Sequence, residues 1–164
     1  AVAGVTLVET MVCLLIVGVL VSLAGPAWRD LLLRQRVATV RTELTSAMQL
    51  ARWEAVRRNA PIALQRRIDC GALLATVHDW GCGWDVQAAL PGEARTLQSF
   101  VPPPGLRLTH PGGGPAMEFS RSGVPVLVAH KFVISPAAEV TPMTTVLCVK
   151  RTGRVRTVTG TATC

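Results

Sequence analysis

The sequence predicts an α+β protein, with one long N-terminal helix packed on an antiparallel β-sheet domain. Three observations carry this. Residues 10–28 hold no ionisable side chain except the thiol of Cys13. From Ala27 to Asn59, apolar residues recur at three- and four-residue spacing. Beyond Pro61, short apolar runs alternate with turns rich in Gly and Pro.

The apolar run spans nineteen residues, which as a helix reach about 28 Å, close to the hydrocarbon thickness of a bilayer. A cleavable secretory signal would be shorter and would end before a polar start. Here the run continues into a charged helical pattern. An ordinary membrane anchor leaves Glu9 unexplained, because a carboxylate costs about 2.5–3.5 kcal/mol at the centre of a spanning helix and less near its edge.

The amphipathic stretch follows directly. Val37, Val40, Leu44, Ala47, Met48, Ala51 and Ala55 form one apolar stripe, with Arg34, Arg41, Glu43, Gln49, Arg52 and Arg57 mainly off it. Asn59-Ala60-Pro61 supplies a stop. One helix of about 50 residues therefore joins the apolar run to the domain.

The strand candidates are Ile62–Ile68, Gly83–Gln87, Leu97–Phe100, Leu106–Thr109, Met117–Ser120, Lys131–Ser135, Thr145–Lys150 and Arg154–Val158. Turns or loops fall at Pro102-Pro103-Pro104-Gly105 and from His110 to Pro115. Short strands of this kind against one helix imply an α+β domain.

With 49% hydrophobic and 16% charged residues, the chain fits one small domain plus an apolar appendage. The net charge is +7, from 17 Lys and Arg against 10 Asp and Glu, and every basic residue lies at or beyond Arg29. A basic surface of this kind favours nucleic acid, anionic headgroups or acidic protein faces.

Of five cysteines, Cys13 lies in the apolar run and reads as a small hydrophobe. Cys70, Cys82, Cys148 and Cys164 are an even set, which points to two disulfides and an oxidising compartment. Three pairings are open; Cys70–Cys82 with Cys148–Cys164 is favoured because each closes a short loop. A zinc site from Cys70, His78 and Cys82 is the competing reading, and it lacks the usual C-x-x-C spacing.

No catalytic pattern emerges, and no cofactor or metal is implied. His78, His110 and His130 are far apart in sequence and lie near turns. His78 and Asp79, adjacent on a strand, would point in divergent directions. No nucleophile elbow, zincin or phosphate-loop motif is present.

The most informative polar feature is the run Lys150-Arg151-Thr152-Gly153-Arg154-Val155-Arg156. Gly153 suits a turn, and Arg154 and Arg156 would share a strand face, about 6.6 Å apart. Lys150 and Arg151 could extend the patch. Such a cluster can bind successive phosphates without reading bases. A solvated hairpin tip with ordinary surface arginines is the other reading. Aromatic stacking partners are absent from the run, which argues against base-specific recognition of single strands.

Several motifs resemble known families. Ala3-Gly4-Val5-Thr6-Leu7-Val8-Glu9 followed by the apolar run resembles the processing signal of the type IV pilin superfamily. The resemblance implies that a prepilin peptidase cuts after Gly4 and that Val5, where the family more often has Phe, is then N-methylated. It implies that Glu9 pairs with the N-terminal amine of a neighbouring subunit during filament assembly. Two opposite charges in a low-dielectric bundle attract strongly, and each alone is costly. Pro26 stands where these proteins commonly carry a helix-kinking proline.

Gln49–Asn59 resembles the helix end of the GspH/FimT family of minor pilins and pseudopilins; Asp79–Trp84 resembles its tryptophan element and Met117–Gly123 its strand and turn. Trp80 and Trp84 themselves read as core. Gly153-Arg154-Val155-Arg156 resembles the GRxR motif through which FimT-type minor pilins bind DNA in natural transformation.

The resemblance implies a pilin-like fold and a non-enzymatic filament subunit. The organisation would be a leader remnant at 1–4, a membrane segment at 5–28, an amphipathic helix at 29–60 and a periplasmic β-rich domain at 61–164. Implied partners are other pilin subunits, the prepilin peptidase and N-methyltransferase, the inner membrane and DNA. A type II secretion pseudopilin of the H class is the alternative. Arg29, Arg34 and Arg36 alone would place the helix end in the cytoplasm by the positive-inside rule. The cysteines and the resemblance place it in the periplasm.

Overall fold

The structure, a computed structural model, describes residues 4, 6–70, 76–90, 93–127, 129–137, 143–160 and 164. Its element order is α1 (Leu7–Arg58), β1 (Ile62–Arg66), β2 (Trp84–Leu90), β3 (Glu93–Phe100), β4 (Leu106–Thr109), β5 (Ala116–Phe119), β6 (Ala129–Pro136), β7 (Thr145–Lys150) and β8 (Val155–Thr159). Contacts divide the chain into two units, Ala1–Gln35 and Arg36–Cys164.

In the first unit the helix starts with Thr6, whose Oγ1 accepts a hydrogen bond from the Glu9 N–H at 3.3 Å. Thr-x-x-Glu at a helix start is the capping-box pattern, and an acidic first turn also suits the helix dipole. The backbone stays helical through Gly25 and Pro26. Leu7, Met11, Leu14, Leu15, Leu20 and Trp28 are all exposed. This stretch is long and apolar enough to cross a membrane.

In the second unit the whole apolar stripe of α1, from Val37 to Ala55, is buried. The helix ends in a Schellman motif. Asn59 takes φ +49°, its N–H donates to Val56 O and the Ala60 N–H donates to Ala55 O. Asn tolerates the left-handed region better than other residues with a Cβ, so Asn59 can stand where glycine is usual. Glu54, though buried, accepts hydrogen bonds from both Arg57 and Arg58. The Arg57 bonds, then those from Arg58, hold its carboxyl down to about 2.

Among the described residues, the eight strands form two four-stranded sheets, ordered β3-β2-β1-β5 and β4-β6-β7-β8. All pairings are antiparallel. The sequence-predicted strands all fall on these elements, with ends shifted most at β3, which begins at Glu93. The outer strands are β3 and β5 in one sheet and β4 and β8 in the other. Each carries an exposed charged residue: Arg95, Glu118, Arg107 and Arg156 respectively.

The segment before β2 ties the sheets together. The Trp80 N–H donates to Leu108 O, and the His110 N–H donates to His78 O, each at 2.8 Å. Trp80 and Trp84 are fully buried and join one core with the helix stripe, Phe119 and Phe132.

Candidate polyanion-binding surface

The basic run folds as a hairpin. The Gly153 N–H donates to Lys150 O at 2.8 Å and the Lys150 N–H to Arg154 O at 3.0 Å. Gly153 takes φ +78°. A three-residue loop closed in this way needs a left-handed residue at its last position, which glycine supplies at least cost.

Register then decides which cations meet. Lys131 on β6 pairs with Cys148 on β7, and Cys148 pairs with Arg156 on β8. Residues directly opposite share a face, so these three form one row, with Lys131 and Arg156 about 10 Å apart across two strand spacings. Lys131, Lys150, Arg151 and Arg156 border a hollow of about 320 Å³ with Cys148 and Cys164. Among the described residues, no Asp or Glu lines it. Arg154 lines a different hollow, of about 270 Å³, with Arg52 of α1. Arg154 and Arg156 are both exposed. Among the described residues, the ion pairs are those of Arg57 and Arg58 with Glu54 and of Arg67 with Asp69. None involves the hairpin.

Cys148 is bridged to Cys164, with Cα atoms 5.5 Å apart, and Cys70 to Cys82, at 5.4 Å. The second bridge takes both thiols that a zinc site with His78 would need. Gly4 and Glu9 are exposed, while Val5 lies outside the described residues.

One expectation is corrected. The histidines read from sequence as unrelated, yet His110 and His130 are buried against each other, with Nε2 of His110 3.0 Å from Nδ1 of His130. The His110 ring stacks on Phe132 with centroids 4.2 Å apart and meets the Trp80 edge at 5.3 Å. Burial, with lesser contributions from His130 and His78, pushes His110 down to about 4, and burial lowers His130 as well. Lys131 and Arg52 were also missed. Lys131 joins the surface only through the β6–β7 register, and Arg52 only through the approach of the hairpin to the helix.

The family described as Type II transport protein GspH matches residues 41–163. The chain belongs to the GspH family. The match begins within the amphipathic half of α1 and takes in both sheets and the hairpin. The fold of this GspH-family chain is shared by two solved proteins. The type IV minor pilin FimU of Pseudomonas aeruginosa is 23% identical, with a TM-score of 0.61 over 75% of this chain and 88% of that one. The minor pseudopilin EpsH from the Type 2 Secretion System of Vibrio cholerae is 13% identical, with a TM-score of 0.57 over 76% of this chain and 97% of that one. No curated protein matches the sequence. The GspH-family chain thus has the fold of minor pilins and pseudopilins, whose family are structural subunits that assemble with other pilin subunits. Its apolar N-terminal helix fits a membrane-anchored filament subunit.

Proposed function

We propose that this chain is a FimT-like minor pilin of a type IV pilus, whose β7–β8 hairpin binds DNA without reading its sequence. It is not an enzyme. The carrying observation is the set of hairpin cations, Lys150, Arg151, Arg154 and Arg156, exposed and without carboxylate partners among the described residues. Uncompensated guanidinium and ammonium groups release counterions from a polyanion, and affinity then falls steeply with salt.

In this reading the prepilin peptidase cuts between Gly4 and Val5, and Val5 is N-methylated. The apolar half of α1 holds the subunit in the bacterial inner membrane by a single pass, with the bridged domain in the periplasm. Glu9 then meets the terminal amine of its neighbour in the filament. The two disulfides support an oxidising compartment.

The test uses the full chain in detergent micelles and a fluorescent DNA duplex, with affinity measured at several salt concentrations. Binding should weaken with salt, and replacing Arg154 and Arg156 together by Gln should lower the log–log slope by about 2. An unchanged slope would defeat the hairpin as the DNA site. A second reading, a type II secretion pseudopilin acting in protein export, is favoured by the family's description and by the likeness to EpsH. Absence of any DNA binding by the wild-type chain selects it.

A further inference from the structure

Arg52 stands on α1, 102 positions before Arg154, yet two glycine turns hold it beside the hairpin. A Cβ added at Gly123 would lie 3.0 Å from Arg52 Cγ, so that turn lies directly over the aliphatic stem. A Cβ added at Gly153 would lie 3.3 Å from Arg52 Nη1, so the hairpin turn rests against the guanidinium. Both glycines have positive φ, +73° and +78°. The exposed side chain is thus flanked by a turn at its stem and another at its head, which restricts its rotamers and reduces the entropy lost when its donors are used.

Among the described residues, its charge also has no ion-pair partner. The nearest acid in sequence, Glu54, is two positions along the helix, which turns it to another side, and it is taken by Arg57 and Arg58. The hollow that Arg52 shares with Arg154 is bordered by Thr45 and Gln49, which add hydrogen-bonding groups, and by Met48 and Phe119. Among the described residues, no Asp or Glu lines it. Apolar walls beneath two cations focus their field on whatever anion enters.

We propose that this hollow is a phosphate subsite clamped by Arg52 and Arg154, so that the DNA surface continues from the hairpin onto α1. The inference rests on the DNA reading above and extends it to a residue outside the GRxR run. Gly153 then has two roles: it closes the turn and leaves room for the Arg52 head.

The experiment measures duplex binding by fluorescence anisotropy across salt concentrations, using the full chain in detergent. Arg52→Gln is expected to weaken binding 3- to 10-fold and to lower the slope by about 0.9, the loss of one phosphate contact. Arg52→Lys should keep the slope, and Arg95→Gln, on the far edge of the other sheet, should leave it unchanged. Arg52→Met retains the packed stem and is read in the same way should the Gln variant fail to fold. If Arg154→Gln lowers the slope while neither Arg52 variant does, the subsite is overturned and the hairpin reading stands. If the wild-type chain binds no DNA, both fall.

Discussion

Nε2 of His110 lies 3.0 Å from Nδ1 of His130, and the other nitrogen of His110, Nδ1, lies 3.3 Å from Gly114 O. A carbonyl can only accept, so His110 carries its proton on Nδ1 and offers Nε2 as a lone pair. His130 must then donate from Nδ1, which leaves its Nε2 bare, and that atom is buried without a partner among the described residues. Burial opposes a charge on either ring, and a second proton on the pair would set two N–H groups against each other. The pair is therefore built for the neutral form.

Stability should accordingly depend on pH in a definite window. An unfolded histidine takes up its proton near 6.5, whereas folded His110 resists until about 4. The native advantage is complete above 6.5 and is lost as pH falls towards 4, because the unfolded chain binds the proton first. Melting of the full chain, followed by tryptophan fluorescence, should drop by about 5 °C between pH 7 and 4.5. Glu54 adds a second loss lower down, between its unfolded value of 4.5 and about 2. A melting temperature that stays level down to pH 4.5, or an identical decline in His110→Asn, would contradict the assignment.

Gly113 lies under the same ring. A Cβ there would sit 1.9 Å from Cε1 of His110. Gly113→Ala should displace the ring and cost about 3 kcal/mol, the upper end for overpacking. Urea denaturation measures it; a midpoint within error of the wild type would show that the loop yields freely. Gly114→Ala, with open space at its Cβ position, is the control.

The bridge between Cys148 and Cys164 closes a loop of sequence separation 16, for which chain entropy gives about 3 kcal/mol of stabilisation. Replacing both cysteines by Ser should lower stability by about that amount. The hollow beside Lys131 and Arg156 should also lose definition, seen as weaker duplex binding at low salt. Unaltered stability and binding would mean that the bridge holds nothing the sheet does not already hold.

Glu9→Ala should abolish incorporation into filaments while leaving membrane insertion intact, since deleting a carboxylate makes the apolar segment no less apolar. Glu9→Gln keeps a polar side chain of the same size and the backbone bond to Thr6, and removes only the charge. Filaments formed normally by the Gln variant would rule out the amine pairing. Retention by Asp at a reduced level would fit it.

Much of the fold was legible because its signals are local. The stripe Val37, Val40, Leu44, Ala47, Met48, Ala51 and Ala55 is a helical period read directly, and all seven are buried. Thr145–Lys150 was placed to the residue because β-branched and apolar side chains run unbroken between two turns. The start of β3 was missed because Glu93-Ala94-Arg95-Thr96 lies on an edge strand with no alternation to read. What stayed hidden is what depends on pairing across long separations. Nothing near His110 announces His130, because their meeting depends on β4 lying against β6. Lys131 enters the cationic row through register alone, and Arg52 reaches the hairpin only in three dimensions. The division of eight strands into two sheets is equally non-local, since β1 must find both β2 and β5.

The charged outer strands bear on a family whose members assemble with other pilin subunits. Open strand rims invite ribbon growth, and Arg95, Glu118, Arg107 and Arg156 make each rim a poor template for another backbone. Edge-to-edge pairing of the sheets, the usual route to amyloid-like aggregates, is thereby disfavoured.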